Sequence, residues 1–392
     1  MTDLLARREL WLIVVAAVAG VVCSLFVARW HLQFWVRRIS LPLDYDEVER
    51  IATDDGAAFE LRRVPIPTGV SRDLALPPIL MVHGVAANHR NQDLHPDHSL
   101  ARHLAALGRD VFLLTLRSGL RLSFRALRTA HIETMASAEI PGAIDRILAR
   151  TGARSIDYVG FSMGGLLLYA ALGRTVPFDR VRRVVIVGSP AQMRRPWFVP
   201  RFLRFLPRIF VPHLPLRLGA RTFAFLSEWL ATPIHRLVSN PRNVAKGMTR
   251  LALIDVIEDM PAALNADFLA AMTGDGVLRA FGEPITARLP SVTSPALFVA
   301  GSDDRLAPPA AVRHAFDLWG RDAPHTVKRF VVLGRQYGSK EDYGHGDLAV
   351  GANVGVELFP PIAKFLGPAL LEEVDAAIGG EAKAAIDERS PT

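Results

Sequence analysis

The chain has 392 residues, of which 50% are hydrophobic and 22% charged, and its formal net charge is +7 at pH 7. This length is accounted for by one large α/β domain with an insertion. Cys23 is the only cysteine, which excludes an intramolecular disulfide and a cysteine zinc site.

An unbroken uncharged stretch, Leu10–Val27, lies near the N-terminus. At about 1.5 Å per residue it reaches roughly 27 Å, just enough for a hydrocarbon core. Trp11 lies at one end and Trp30 beyond the other, as interfacial anchors do. The alternative is a signal peptide cleaved after Ala19, but cleavage there would leave the rest of the apolar run exposed. We therefore expect an uncleaved, single-pass N-terminal anchor. Basic residues flank the stretch on both sides, so they do not indicate the orientation of the anchor in the membrane.

Beyond a juxtamembrane connector at residues 28–45, predicted strands alternate with predicted helices, which indicates a mostly parallel sheet. Glu47–Val64 has the pattern of a hairpin with a turn at Asp54-Asp55-Gly56. Helices are expected at Ser99–Leu107 and Ile140–Arg150, among others. The later strands are expected at Ile79–His83, Val111–Leu116, Ile156–Gly160, Val184–Gly188, Ala296–Gly301 and Arg329–Leu333.

Several histidines follow the strand Ile79–His83. A metal cluster is one interpretation of these residues, but they lack the i, i+4 histidine pair of a helical zinc motif. A polar rim of an active site is the interpretation we favour, and no metal or other cofactor is expected. The residues concerned are His89, His95, Asp97, His98 and His103.

The segment Gly160–Gly165 follows an apolar run and leads into the helical stretch Leu166–Leu172. A strand, Gly-x-Ser-x-Gly and a helix form the nucleophile elbow of an α/β-hydrolase. Small residues two positions away on each side of Ser162 allow a turn sharp enough to lift its hydroxyl out of the sheet. The same turn aims the backbone N–H of Met163 at a developing oxyanion. A chance glycine-rich turn is the alternative, and the order of the features below weighs against it.

The second oxyanion donor of this fold comes from the loop after an earlier strand. Here that strand ends in His83-Gly84, so the donor would be the backbone N–H of Val85. We expect His83 to order the loop rather than to take part in the chemistry.

The alternation of strands and helices stops at residues 191–290, the expected place for a lid. Arginines alternate there with Phe, Trp and Leu, and no acid occurs from Val181 to Ser227. Such a surface suits anionic lipid headgroups, whereas the alternative is a proline-broken lid packed on the core. The predicted division is an anchor and connector at 1–45, hydrolase core at 46–190, lid at 191–290, core at 291–368 and a flexible tail at 369–392.

Two further residues complete a candidate catalytic set. The strand Ala296–Gly301 stops before Asp303 and Asp304, and the spacing to the following proline favours Asp304 as the residue that orients a histidine. His345 lies between two glycines in the loop after the last strand, where the backbone can bend towards Ser162. Asp347 is too close to it along the chain to be the obvious partner and is expected to hold the loop. The order Ser162, Asp304, His345 is that of α/β-hydrolases.

These motifs resemble those of the acid lipases, the gastric and lysosomal lipase family of α/β-hydrolases, and this chain looks like a bacterial-like, membrane-anchored member. The resemblance covers about residues 46–366. It is carried by Val48–Gly56, His83-Gly84-Val85, the helix Ile140–Asp145, Leu306-Ala307 and Tyr343–Asp347. It implies an α/β-hydrolase fold with a mostly parallel sheet, flanking helices and an inserted helical lid. It also implies Ser162 as nucleophile, Asp304 as acid, His345 as base, and Val85 and Met163 as oxyanion donors.

The chain departs from the family at Phe161 and Met163, where the family usually has a histidine and a glutamine, and it lacks the disulfide of the animal enzymes. The function expected is hydrolysis of a hydrophobic carboxylic ester or lipid at a membrane. Acyl transfer to an alcohol, a lactonase or polyester depolymerase, and a non-catalytic membrane-anchored scaffold are the alternatives. Membrane lipid is the expected partner; nucleic acid is not, because no basic–aromatic nucleic-acid module occurs, and no protein partner is indicated.

Overall fold

Short apolar runs form the strands of one central sheet. The computed structural model describes residues 2–196, 199–229 and 233–368. Eight strands form the main sheet: β1 Glu47–Ala52, β2 Ala58–Arg63, β3 Ile79–Val82, β4 Val111–Thr115, β5 Ile156–Phe161, β6 Val181–Val187, β9 Ala296–Gly301 and β10 Lys328–Leu333. The strands β7 Arg279–Ala280 and β8 Glu283–Pro284 form a separate hairpin. The order in the main sheet is β1-β2-β4-β3-β5-β6-β9-β10. β1 pairs antiparallel with β2, β2 antiparallel with β4, and the remaining neighbours are parallel.

Both faces of the sheet are covered, as a parallel sheet requires. Successive residues of β3 alternate between two apolar clusters: Ile79 and Met81 pack in one, and Leu80 and Val82 in the other.

The helices are α1 Thr2–Ile39, α2 Leu100–Ala106, α3 Phe124–Leu127, α4 Ile132–Thr134, α5 Ile140–Thr151, α6 Met163–Ala171, α7 Leu216–Phe223, α8 Pro233–Val238, α9 Met248–Asp255, α10 Ala262–Thr273, α11 Pro309–Leu318, α12 Asp347–Val350, α13 Val354–Glu357 and α14 Phe359–Leu366.

The predicted fold class is confirmed. The predicted hairpin is β1 and β2, and Gly56 in its turn adopts a left-handed φ of 77°. All six later strands occur, with bounds that differ from the predicted ones by at most three residues at either end. The segment between β6 and β9 carries α7 to α10 and the short hairpin β7 Arg279–Ala280 and β8 Glu283–Pro284. The predicted tail at 369–392 lies outside the described residues.

The N-terminal helix is longer than the apolar run predicted it to be. α1 continues through part of the predicted connector to Ile39. Its later turns pack on the inserted segment, where Trp35 stacks on Phe225 with ring centroids 5.1 Å apart. Among the described residues one helix, α1, is long and apolar enough to cross a membrane, over Val15–Ile39; a signal sequence near an N-terminus has the same properties. The contacts with the inserted segment explain why the helix persists beyond Val27.

Candidate active site

Ser162 occupies a strained turn between β5 and α6. Its φ is 51° and its ψ −113°, a conformation that costs a non-glycine residue free energy and persists only where the surroundings enforce it. Its backbone N–H donates to the Val187 carbonyl of the neighbouring strand at 2.8 Å. The hydroxyl therefore stands at the carboxyl end of the parallel sheet, where ligands bind in open α/β folds.

The glycines around Ser162 are required by close contacts. A Cβ on Gly160 would lie 2.6 Å from the Gly165 nitrogen, and one on Gly164 would lie 2.2 Å from the Val82 carbonyl oxygen. A Cβ on Gly165 would lie 2.2 Å from Ser189 Oγ. The small residues expected on each side of Ser162 thus let α6 start directly against β3.

Three side chains that are far apart in the sequence form a hydrogen-bonded chain. His345 Nε2 lies 2.9 Å from Ser162 Oγ, and His345 Nδ1 lies 2.7 Å from Asp304 Oδ2. The imidazole and the carboxylate are both buried, at 7% and 3% exposure, so water does not compete for these contacts. The structure brings together the three residues that the sequence singled out, in the geometry that a nucleophile, a base and an orienting acid need.

Asp304 is held in place by the turn that follows β9. Its Oδ1 accepts from the backbone N–H groups of Leu306 and Ala307 at 2.9 and 2.7 Å. Asp303 is different: its side chain is 42% exposed and lies 3.4 Å from Arg305 Nε. Of the two adjacent acids, Asp304 is the one that contacts the histidine.

Asp347 holds the loop that carries His345. Its Oδ2 accepts from the backbone N–H groups of Gly344 and Asn240 at 2.7 and 2.8 Å. Burial raises the pKa of this carboxyl from 3.8 to about 6, although the two N–H donors partly offset the effect. The side chain therefore connects the histidine loop to the segment after α8, and among the hydrogen bonds of the described residues none joins it to the imidazole.

His83 orders the loop that follows β3. Its Nδ1 lies 2.7 Å from the Gly84 carbonyl oxygen, and its Nε2 lies 3.1 Å from the Leu116 backbone nitrogen, which donates to it. Burial lowers the pKa of His83 to about 4, so the ring is neutral at pH 7. A neutral ring with its proton on Nδ1 satisfies both contacts.

The same loop lies against the nucleophile. A Cβ on Gly84 would be 3.3 Å from Ser162 Cβ, so the backbone passes directly beside Ser162. Asn91 Oδ1 accepts from the Gly84 N–H at 3.1 Å. Within the described part of the chain, the N–H groups of Val85 and Met163 have no hydrogen-bond partner. One of these backbone donors follows the serine in the chain, and the other belongs to the loop that passes beside it.

Some residues of the site were not predicted. Asn91 and Ser189 have polar side chains in loops with no motif around them; Ser189 Oγ donates to the Ser162 carbonyl at 2.7 Å. Ala86 has a φ of 51°, rare for a residue with a Cβ, and its carbonyl accepts from the Glu258 N–H of the inserted segment. No sequence motif indicates these contacts, because each of them joins residues that are far apart in the chain.

Comparison with known proteins identifies the fold family. A family model described as alpha/beta hydrolase fold matches residues 77–335, which include Ser162 and Asp304. The chain belongs to this family. His345 lies ten positions beyond the matched segment.

Individual relatives of this alpha/beta hydrolase are lipases. It is 25% identical to gastric triacylglycerol lipase of Homo sapiens over 213 residues, 48% of this chain and 50% of the lipase. It is 30% identical to lipase member K of Homo sapiens over 156 residues, 37% of this chain and 39% of that protein. The match to lipase lipl-3 of Caenorhabditis elegans has 30% identity over 135 residues, 32% of this chain and 33% of that one. The resemblance to the gastric type of lipase is confirmed at low identity, and the chain spans half or less of the length of these relatives.

Solved structures with a similar fold include an esterase from Rhodococcus sp. ECU1013, at 18% identity and a TM-score of 0.48, covering 82% of this chain and 99% of that one. Another is a membrane phospholipase A, at 17% identity and a TM-score of 0.48, covering 94% of this chain and 98% of that one.

The histidines after β3 of this alpha/beta hydrolase have separate environments. His89 Nδ1 lies 3.0 Å from Thr115 Oγ1, and burial holds its pKa well below the usual range. His95 and His98 lie edge to face at the surface, with ring centroids 6.1 Å apart. No group of three or more His, Cys, Asp or Glu side chains is placed to hold a metal ion in the portion of the chain that the structure describes.

Proposed function

We propose that this protein is a membrane-anchored serine hydrolase that cleaves hydrophobic carboxylic esters, like a lipase or an esterase. The observation that carries the proposal is the contact chain from Ser162 Oγ through His345 to Asp304, at 2.9 and 2.7 Å. Relatives named as lipases support ester hydrolysis as the reaction.

In the resting enzyme, the N–H of His345 Nδ1 donates a hydrogen bond to Asp304 Oδ2, and Nε2 accepts a hydrogen bond from the Ser162 hydroxyl. Oγ attacks the ester carbonyl carbon while Nε2 takes its proton, and the carbonyl π electrons move to the oxygen. The tetrahedral intermediate then expels the alkoxide, which receives the proton from Nε2 and leaves as the alcohol. Water attacks the acyl-enzyme by the same proton path and releases the carboxylic acid and the free serine.

The negative charge on the carbonyl oxygen would be stabilised by the N–H groups of Val85 and Met163. Each such donor is worth about 10²–10³ in rate. The helix that starts at Met163 adds the positive end of its dipole. His83 contributes indirectly: because its Nδ1 binds the Gly84 carbonyl, it orients the very peptide group whose N–H belongs to Val85.

The inserted segment, which we take as a cap at residues 191–290, supports a hydrophobic substrate. Its residues 201–210 contain no buried side chain. Four of its apolar side chains are 67–85% exposed, whereas Leu203 and Leu206 are half-buried. The exposed ones are Phe202, Phe205, Ile209 and Phe210, and an arginine precedes each group of them. Exposed apolar side chains with interleaved arginines fit a lipid interface better than they fit water.

Two properties of α1 support an anchor that stays on the mature chain. Val21, Phe26 and other apolar side chains of its middle turns are 57–73% exposed, so they need a bilayer to cover them. Its last turns are bound to the cap: Ser40 Oγ, just after the helix, donates to Asp255 Oδ1 at 2.7 Å, and His31 Nε2 lies 3.3 Å from the Thr222 carbonyl. Cleavage after Ala19 would leave the exposed half of this surface in water.

The experiment is labelling of the full-length protein in detergent with a fluorophosphonate, which reacts with activated serines. We expect labelling of the wild type and none of Ser162→Ala, whereas Ser137→Ala, which changes an exposed serine, should label normally. Turnover of p-nitrophenyl esters of increasing chain length then reports the substrate class, and we expect rates to rise beyond short acyl chains.

Each outcome separates the proposal from its alternatives. Labelling that persists in Ser162→Ala excludes Ser162 as nucleophile. Absence of labelling in the wild type, both in detergent and in anionic vesicles, favours the non-catalytic scaffold. Ester products in place of free acid, when an acceptor alcohol is added, would identify an acyltransferase that uses the same acyl-enzyme.

A further inference from the structure

A cleft of about 370 Å³ separates the last turns of α1 from α7 of the cap. One part of its lining is apolar and comes from both helices: Leu32 and Val36 from α1, and Leu218 from α7. The other part is basic and comes from Arg37, Arg217 and Arg221. The cleft does not belong to the candidate active site, since none of the residues of that site lines it.

The basic side chains are only partly neutralised. Arg37 is exposed and has no ion pair among the described residues. Arg221 donates through Nε and Nη2 to the Ile254 carbonyl, at 3.1 and 2.9 Å, so no carboxylate opposes its charge directly. Arg217 Nη1 does contact an acid, Glu258, at 3.3 Å.

One carboxylate lines the cleft beside the three guanidinium groups. This is Asp259, whose Oδ1 accepts from the Arg217 backbone N–H at 3.0 Å and whose Oδ2 lies 3.7 Å from His213 Nε2. The lining therefore keeps an excess of positive charge, and Arg37 and Arg221 each have side-chain N–H groups without an acceptor among the described residues. Guanidinium groups with free N–H donors are suited to a phosphate.

The position of the cleft along α1 corresponds to the headgroup layer of a bilayer. Leu32, the first residue of the cleft lining, follows the uncharged run Leu10–Val27 by five residues, which is about 7 Å along the helix at 1.5 Å per residue. A headgroup layer extends about 5–7 Å beyond the hydrocarbon core on each side, so the cleft begins at the depth of that layer. Arg37 lies in the last turn, and because helical side chains point towards the N-terminus, it reaches back towards the bilayer.

The two walls of the cleft are held together by contacts between α1 and the cap. Trp35 stacks on Phe225 with an interplanar angle of 12°, and His31 contacts the Thr222 carbonyl. The cap therefore cannot leave α1 without breaking an aromatic pair. The cleft is a preformed space between a membrane helix and a cap rather than a loose surface groove.

We propose that this cleft binds one anionic phospholipid, with the phosphate between Arg37 and Arg221 and the acyl chains along Leu32, Val36 and Leu218. The proposal rests on the proposed function only in taking α1 as a retained anchor. A net negative headgroup fits because the excess of arginine over carboxylate leaves charge that a zwitterionic lipid does not neutralise. Bound lipid would fix the cap, and with it the site beneath, at a set height above the bilayer.

The test uses the full-length protein in detergent and native mass spectrometry, which counts bound lipids and gives the mass of the intact chain. The probe is palmitoyl-oleoyl phosphatidylglycerol, with palmitoyl-oleoyl phosphatidylcholine and glycerol 3-phosphate in parallel. We expect that one phosphatidylglycerol per chain binds before any further lipid. Phosphatidylcholine should bind at least tenfold more weakly, and glycerol 3-phosphate should not bind at the same concentration.

Matched variants locate the site. Arg37→Gln should weaken phosphatidylglycerol binding about fivefold, the effect of one basic residue near an anionic lipid, and Arg37→Gln with Arg221→Gln more than twentyfold. Arg38→Gln makes the same charge change at the next position, outside the cleft, and should change the affinity less than twofold. Arg37→Lys should restore most of the loss, since it keeps the charge.

Several outcomes would overturn the proposal. Equal losses in Arg37→Gln and Arg38→Gln would mean unspecific attraction to charge, and equal binding of both lipids would remove the role of the anion. Binding of glycerol 3-phosphate with the same arginine dependence would indicate a soluble phosphate ligand. Fluorophosphonate labelling of the same samples, together with the intact mass, reports separately on the hydrolase and on the retained anchor, so failure of either is distinguished from failure of the lipid site.

Discussion

Replacing Asp304 by Asn tests the proposed role of this residue more sharply than removing it. In the wild type, Oδ1 accepts from two backbone N–H groups, those of Leu306 and Ala307, and Oδ2 faces His345 Nδ1. An Asn side chain can keep its carbonyl oxygen on the two N–H donors only by turning its NH₂ group towards Nδ1. The imidazole then has to carry its proton on Nε2, where it cannot accept the proton of Ser162.

The magnitude follows from the cost of the opposite amide orientation. Turning the NH₂ group towards Leu306 and Ala307 would leave two backbone N–H groups, one half-buried and one buried, without an acceptor, at about 1–3 kcal/mol each. The active tautomer is therefore disfavoured by about 2–6 kcal/mol. Since 1.36 kcal/mol corresponds to a factor of ten in rate, we expect kcat to fall by about 30-fold to 3 × 10⁴-fold.

The assay is p-nitrophenyl ester turnover by the full-length protein in detergent, with the rate of fluorophosphonate labelling as a second readout. Asp303→Asn is the matched control, since it makes the same change one position earlier at a side chain that is 42% exposed; we expect kcat within threefold of the wild type. A loss below tenfold in Asp304→Asn would refute the reasoning, and a large loss in Asp303→Asn in its place would show that the wrong acid was chosen.

Two further changes test the turn at the nucleophile and the loop of the histidine. In Gly164→Ala the new Cβ would lie 2.2 Å from the Val82 carbonyl oxygen, so α6 has to move, and we expect kcat to fall at least tenfold through displacement of the Met163 N–H; Gly219→Ala, where nothing lies within 4 Å, should raise helix stability by about 1 kcal/mol without loss of activity. Burial raises the pKa of Asp347 from 3.8 to about 6, so the unfolded chain releases this proton first and the wild type loses stability as pH rises between these values. Asp347→Asn removes that loss, and its free energy of unfolding relative to the wild type should increase by up to about 3 kcal/mol from pH 4 to pH 8, measured by denaturation in detergent; a difference that stays constant with pH would contradict the assignment.

The strands and the nucleophile turn could be predicted because their causes are local. An apolar run that ends at a glycine, such as Ala296–Gly301, is itself enough to predict a buried strand. The observed bounds of this strand equal the predicted ones. The conformation of Ser162 depends on glycines two positions away on each side, so a six-residue motif contains what is needed. The end of α1 could not be predicted in this way, since the helix beyond Val27 is stabilised by contacts with Phe225 and Asp255 in the cap.

The amino-acid sequence was sufficient to predict the strands, the serine turn and three candidate residues. Each strand and each motif around a candidate residue depends only on residues within a few positions of one another. Which acid meets the histidine, and whether the histidine reaches the serine, depended on tertiary structure, since His345 and Ser162 are 183 positions apart in the chain. The same holds for the supporting contacts of Asn91 and for the arginine cleft between α1 and α7. These contacts and this cleft form where separate elements pack together, and the distances between such elements cannot be inferred from any short stretch of sequence.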